Sequence, residues 1–422
     1  MISNVIADGI NGTPKIPGDK SISHRSLMIS ALSQGVSRIS NLSKGNDLIS
    51  TVNCLKACGV KIKYHHEDVV VYGGKFSNPD SVLDCGNSGT TVRLLMGLLI
   101  GQGISATFTG DRSLLKRPMF RIIKPLELMG AKIEHNDGRL PIKINSKKLK
   151  GIQYSSSIAS AQIKSSIILA GLGSKGTTAY TEPIKSRDHT EIMLKNLGSN
   201  ISTQGLMTTL KPLTKPLKSM QIKIPGDPSS AAFFAGAVAL IPDSKITINN
   251  LLNNPTRNAF FLVLKEMGLG INYINEKIND GENVADLEVY FRKINSAKIL
   301  EQNIPNIIDE IPILAILATQ AEGRTVIKGA KELRYKECDR IHAICSNLKK
   351  MNANILELDD GFIIEGPSKL IGARVVTYGD HRIAMAFSIA GLISKEPVIL
   401  DNQDCVSISF PNFFQKLKEI AK

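Results

Sequence analysis

GNSGTTVRLLMGLLIGQGISATFTG (residues 86–110) holds one complete structural phrase. Asn87 and Thr90 are small polar residues that can close a helix amino terminus, and Gly89 between them leaves room for an anion. Leu94 to Ile100 is almost wholly apolar, so the helix that follows has no solvent face and belongs in a core. Gly103 turns the chain into a short strand-like run, ATFT. The phrase recurs five more times: KSISHRSLMISALSQGVSRISNL (20–42), SAQIKSSIILAGLGSKGTTAYTEP (160–183), DPSSAAFFAGAVALIPDSKITINNL (227–251), DEIPILAILATQAEGRTVIKGA (309–330) and GDHRIAMAFSIAGLISKEPVIL (379–400). Its helices start near residues 21, 88, 160, 228, 310 and 380.

A second phrase alternates with the first, a helix end running through glycine into a strand. Its copies are CLKACGVKI (54–62), PLELMGAKI (125–133), MLKNLGSNI (193–201), VLKEMGLGI (263–271) and NLKKMNANI (347–355), with FFQKLKEI (413–420) as a sixth helix. The glycine, or Asn352 in the last copy, suits the left-handed residue that ends a helix. Together the phrases predict six strand–helix–strand–helix–strand units of about 70 residues each. Six units divide most simply into two lobes of three, residues 20–225 and residues 1–19 plus 226–422. IPGD at 224–227 echoes IPGD at 16–19 and marks the hinge.

At 422 residues, with 42% hydrophobic and 21% charged residues, the chain has the composition of a soluble globular protein of more than one domain. No apolar run is long enough to span a membrane, and MISNVIADGINGTPKIPG lacks the charged and apolar regions of a signal peptide, so a cytoplasmic protein is expected. Six cysteines, at 54, 58, 85, 338, 345 and 405, form no CxxC pair and are expected to be free thiols. The net charge of +14 fits a nucleic-acid surface, a general solubility bias or a cleft for small polyanions. Aromatics are only 5%, Trp is absent and the cations are scattered, which argues against nucleic acid.

Polar residues cluster where the apolar helices begin: Lys20, Ser21 and Arg25; Asn87, Gly89, Thr90 and Arg93; Ser160 and Gln162; Asp380, His381 and Arg382. Helix amino termini carry unpaired N–H groups and a partial positive charge, so such ends together would bind a polyanion. SLLKRPMFR (113–121) adds Arg117, and ELRYKECDR (332–340) adds Lys336, Glu337 and Arg340. The plain alternative for the latter is a charged helix face with i,i+4 pairs. Asp309 is open to two readings, a helix cap or a reacting carboxylate. GTPKIPGDKS (12–21) misses the P-loop spacing, because Asp19 separates Gly18 from Lys20. No histidine or cysteine spacing points to a metal.

GDKSISHR, GNSGTTVR, KRPM, SAQIKS, SRDHTE, IDEIP, RYKECDR and GDHRIAMAF, in this order and spacing, resemble the EPSP synthases (3-phosphoshikimate 1-carboxyvinyltransferases), in their class II-like bacterial branch. The resemblance implies the enolpyruvyl-transferase, or inverse α/β barrel, fold in two lobes. It implies transfer of the enolpyruvyl group of phosphoenolpyruvate to the 5-hydroxyl of shikimate 3-phosphate, a step of chorismate biosynthesis. A monomer without metal or cofactor is implied, with no nucleic-acid or membrane partner and with glyphosate as inhibitor. Shikimate 3-phosphate would be held by Lys20, Ser21, Arg25, Ser160, Ala161, Gln162, Ser186, Arg187, Asp309 and Lys336. Phosphoenolpyruvate would be held by Lys20, Gly89, Arg117, Gln162, Arg340 and Arg382, with Asn87, Thr90 and Arg93 in support. Asp309 would be the base, and Glu337 or Lys20 the acid.

Two departures stand out. CVSISFP (405–411) lacks the lysine that many relatives carry before this segment, and Ala161 replaces a second serine. Two rival readings remain open to such a chain. The UDP-N-acetylglucosamine enolpyruvyl transferases would need a reactive cysteine where this chain has RSLLKRPM (112–119). An RNA-end-processing protein of related fold would use the positive charge on nucleic acid.

Overall fold

The computed structural model describes residues 8–145 and 147–421. The six small-residue helices are α1 (Lys20–Leu32), α2 (Gly89–Gly101), α3 (Ala161–Gly171), α4 (Pro228–Leu240), α5 (Ile311–Ala318) and α6 (His381–Ala390). The chain divides into two compact units. The first is Gly18–Ile224 with Asp280–Glu282, and the second is Met1–Pro17, Pro225–Asn279 and Asn283–Lys422. Among the described residues, each unit holds three sheets and three of the six helices.

The second repeat shows how a unit is built. A lead strand, Leu83–Asp84, pairs in parallel with Ala106–Thr109, as βαβ connections do, and α2 lies between them in sequence. A second helix, Phe120–Leu128, leads into a hairpin of Lys132–Asn136 and Arg139–Asn145. Arg139–Asn145 then pairs antiparallel with Ala106–Thr109. In RLPIKIN, Leu140, Ile142 and Ile144 alternate inward, the period-two signature of a half-buried strand. The repeat therefore has one strand more than expected. The glycine phrase captured the first strand of each hairpin; the return strand lies beyond a polar turn, in chain that reads as a linker. The sixth repeat departs the other way, with only Arg374–Val375 paired to Ile399–Leu400.

Two lead strands are exchanged along the chain. The first repeat takes Gln221–Lys223 as its parallel partner, through Arg38 to Ser40. The fourth repeat takes Asn11–Gly12, paired with Lys245 and Ile246. Ile10 also donates its N–H to Ser244 Oγ (2.9 Å) and bridges Ala421.

The helix-ending residues of the second phrase are left-handed, with φ +84° at Gly59, +103° at Gly130, +94° at Gly198, +110° at Gly268 and +64° at Asn352. Only glycine adopts this without strain, and asparagine is the next best. The small-residue helices pack with little room. A Cβ at Gly97 in α2 would lie 2.1 Å from the Ser166 carbonyl of α3, so any side chain there would separate the two helices. Burial is complete along α4, where every residue from Pro228 to Ala239 is buried. Each large apolar side chain so buried contributes about 1.5–3 kcal/mol.

Candidate active site

The candidate residues cluster at helix amino termini, and side-chain caps define most of these ends. Asp19 accepts from Ile22 N (2.8 Å), Ser88 from Thr91 N (3.2 Å) and Ser160 from Ile163 N (3.5 Å). Asp227 accepts from Ser229 N (2.8 Å) and Asp380 from Arg382 N (2.8 Å). α5 is the exception: Glu310 stands at its cap position and makes no side-chain cap bond. Two expectations are corrected here. Ser88, not Asn87 or Thr90, closes α2, and Asp309 is not the cap of α5.

In the first unit, Lys20 Nζ donates to Asp47 Oδ2 (3.0 Å). Arg25 is buried, and its guanidinium donates to Thr190 Oγ1 (2.7 Å), Ser165 Oγ (2.7 Å) and the Ser21 carbonyl (3.0 Å). These acceptors are neutral. Burial lowers the Arg25 pKa to about 10, Glu191 offsetting part of the fall. Arg187 reaches Ser21 Oγ (3.0 Å), and Ser186 Oγ donates to Glu182. Beside Arg25, His24 is buried and bonded to Thr51 Oγ1 (2.7 Å); burial first, then Lys20 and Arg25, push its pKa well below the usual value.

The opening loop assembles a second cluster. Gln162 accepts from Arg93 (2.7 Å) and donates to Thr90 Oγ1 (3.1 Å), joining the start of α3 to the start of α2. Arg117 donates to Asn87 Oδ1 (2.7 Å) and Ser113 Oγ (3.2 Å), and Asn87 is itself anchored to Asp111 (2.6 Å). Gly89 lies between two guanidiniums: a Cβ there would sit 3.0 Å from Arg93 and 3.3 Å from Arg117. Ala161 is half-buried in the first turn of α3.

In the second unit, RYKECDR does not form a charged helix face. A 3-10 turn ends at Tyr335 and the next helix begins at Arg340, so Lys336 and Glu337 lie on the connecting chain. Asp309 is ringed by cations, with Lys336 at 3.7 Å, Arg340 at 3.5 Å and Arg382 at 3.7 Å. Arg382 also donates to the Asp309 carbonyl (3.1 Å). Arg340 is buried and donates to Asp380 (2.7 Å) and Glu337 (2.7 Å). Burial alone would lower its pKa, but Asp380, Glu337 and Asp309 outweigh that and hold it above the usual value. Asp380 thus caps α6 and anchors Arg340 at once. Arg334 turns away from this cluster, to Asp339 (2.7 Å), Glu357 (3.2 Å) and the Leu358 carbonyl (2.8 Å).

Sequence reasoning missed Asp47, Lys164, Glu182 and Glu191. Lys164 carried a readable signal, a lone charge inside an apolar helix; Asp47 sits in no motif and is found only through Lys20. Among the described residues, no group of three or more His, Cys, Asp or Glu is arranged to hold a metal, and no helix is long and apolar enough to cross a membrane. The six cysteines form no disulfide.

A family model described as EPSP synthase (3-phosphoshikimate 1-carboxyvinyltransferase) matches residues 6–417. The chain is 47% identical over 423 residues to the 3-phosphoshikimate 1-carboxyvinyltransferase of Sulfurihydrogenibium sp. (strain YO3AOP1), covering 98% of each. It is 44% identical over 427 residues to that of Alkaliphilus metalliredigens, covering 100% of each. A solved structure of the EPSP synthase from Acinetobacter baumannii superposes with a TM-score of 0.87 at 39% identity, over 98% of this chain and 96% of that one.

Proposed function

The chain belongs to the EPSP synthase family, and from that premise we propose how its own side chains divide the work. The enzyme is a 3-phosphoshikimate 1-carboxyvinyltransferase, EC 2.5.1.19. It transfers the enolpyruvyl group of phosphoenolpyruvate to the 5-hydroxyl of shikimate 3-phosphate and releases phosphate. Neither the UDP-N-acetylglucosamine transferase nor the RNA-processing reading is favoured by these relatives.

The two substrates carry two phosphates and two carboxylates. Their mutual repulsion, of order several kcal/mol at an effective dielectric of about 20, must be offset by cations and helix ends. In this reading Lys20, Ser21, Arg25, Ser160, Ala161, Gln162, Ser186 and Arg187 of the first unit bind shikimate 3-phosphate, together with Asp309 and Lys336 of the second. Lys20, Gly89, Arg117, Gln162, Arg340 and Arg382 bind phosphoenolpyruvate. Arginine suits both anions because its planar fork donates two parallel hydrogen bonds. Asn87 and Thr90 act through Arg117 and Gln162, as the bonds described above allow, and Arg93 acts through Gln162.

Asp309 takes the proton of the attacking hydroxyl, and Glu337 or Lys20 delivers one to the methylene carbon. The observation that carries this is the diversion of Asp309 from capping: it stands at the start of α5 with three cations 3.5–3.7 Å away. Orientation by Lys336 and Arg382 keeps the carboxylate directed while a hydroxyl approaches. Glyphosate, an anion like phosphoenolpyruvate, takes its place beside Gly89, Arg93 and Arg117. The missing lysine of CVSISFP leaves the departing phosphate to Arg340 and Arg382. In this reading the enzyme acts as a monomer, as its family resemblance implies, and six cysteines without disulfides fit a cytoplasmic location.

Phosphate release is the test, measured with both substrates, with each alone, and again with Asp309→Ala. Release that needs both substrates and falls by orders of magnitude in the variant, with binding kept, is the expected result. Near-normal turnover in Asp309→Ala removes that residue from the role of base.

A further inference from the structure

Lys164, in the second turn of α3, is 1% exposed and touches neither substrate in the assignment above. Its ammonium lies 2.8 Å from Glu182, 2.8 Å from Glu191 and 3.3 Å from the Ser186 carbonyl. Glu182 and Glu191 are the two ends of one segment, EPIKSRDHTE, and Ser186 is near its middle. One buried cation therefore pins this segment at three points. The segment carries Ser186, whose hydroxyl donates to Glu182, and Arg187, which reaches Ser21 Oγ at 3.0 Å.

Stability alone does not account for such a cluster. Taking a cation and two carboxylates out of water is costly, and apolar replacements of similar volume often leave a protein as stable or more so. Burial is also the main reason why the Glu191 pKa is raised. Lys164 would be lowered by its own burial, but Glu191 and Glu182 outweigh this and keep it charged. What the cluster supplies is geometry: a long segment between a strand end and a helix is held in one conformation by a buried, charged clamp.

We infer that Lys164, clamped between Glu182 and Glu191, is a positioning residue that presents Ser186 and Arg187 to shikimate 3-phosphate. The inference rests on the binding role proposed above for those two residues. It adds a determinant of affinity for one substrate that makes no contact with it.

Steady-state kinetics on the full-length enzyme tests it with four variants: Lys164→Met, Lys164→Met/Glu191→Gln, Arg187→Ala, and Lys164→Met/Arg187→Ala. Lys164→Met raises KM for shikimate 3-phosphate by about tenfold or more, equivalent to about 1.4 kcal/mol. KM for phosphoenolpyruvate changes less than about twofold in the same protein. Lys164→Met/Glu191→Gln removes a carboxylate along with the cation, so it recovers thermal stability while keeping the shikimate 3-phosphate defect. Because Lys164 acts through the segment, Lys164→Met/Arg187→Ala shows a smaller increase than the product of the two single effects. A stable Lys164→Met/Glu191→Gln enzyme with an unchanged KM for shikimate 3-phosphate, beside a raised one in Arg187→Ala, overturns this inference alone. An unchanged KM in Arg187→Ala overturns the binding role on which it rests.

Discussion

The buried arginines of the two units keep different company. Arg25, in the first, is held by two hydroxyls and a carbonyl, so its charge is oriented without a hydrogen-bonded carboxylate. Arg340, in the second, is bonded to Asp380 and Glu337, with Asp309 3.5 Å away. Hydroxyl partners leave a guanidinium's attraction for an incoming anion largely intact. Carboxylate partners spend most of it on holding acidic groups in place. The contrast separates two kinds of arginine: Arg25 is arranged for anion capture alone, whereas Arg340 also holds the acidic groups assigned to proton handling.

The largest effect is expected where proton handling is removed outright. Asp309→Asn keeps shape and loses the base, so kcat falls by roughly a hundredfold to ten-thousandfold while both KM values stay close to wild type. A loss confined to KM would leave Asp309 as a binding group alone, strip it of the role of base and erase the contrast. Next comes stability. Arg340→Met strands Asp380 and Glu337 and costs about 3–5 kcal/mol, as breaking a buried ion pair does. Arg25→Met strands only neutral oxygens and costs about 1–3 kcal/mol. Urea midpoints of the two variants give the comparison directly, and equal losses would break it.

Gly89→Ala tests the capture side on a smaller scale. The new methyl would meet Arg93 at 3.0 Å and Arg117 at 3.3 Å, so both guanidiniums must give way by a few tenths of an ångström. Glyphosate inhibition weakens by about tenfold, equivalent to about 1.4 kcal/mol. Unchanged inhibition would mean that the inhibitor does not bind beside this loop.

The smallest effect concerns Glu310, whose pKa is raised chiefly by burial, although Arg257 pulls it down. A raised folded-state pKa means that its favourable contribution is complete below the unfolded value, near 4.3, and is lost as pH rises through the folded value. Glu310→Gln therefore matches wild type in acid and gains thermal stability at pH 8. The gain is roughly 2–4 °C in Tm for each kcal/mol recovered. A gain that grows instead toward acid pH would show that the ionised carboxylate is stabilised in the fold.

What could be read from the sequence follows the range of the interactions involved. Helix starts, glycine-ended helices and apolar interiors are local matters, written within one or two turns of chain. The return strand of each hairpin was missed because it follows a polar turn and carries no phrase of its own. Asn87 was read as a cap when Ser88, one residue on, does that work; both are good caps, and the choice depends on Arg117 drawing Asn87 away. Asp47 and Glu182 were out of reach because their partners Lys20 and Lys164 lie 27 and 18 residues away in sequence. Site residues at helix starts were visible, whereas the buried charges that orient them were not.

The exchanged lead strands set an order of events during synthesis. Gln221–Lys223 completes the first repeat's sheet from the end of its own unit, so that unit has all its sheet partners once Ile224 has been made. Ile10, by contrast, has its partner Ser244 234 residues further along the chain. At about 5–20 residues per second, a ribosome needs roughly 10–50 s to close that gap. Throughout that interval the first strand waits unpaired while one whole unit folds behind it.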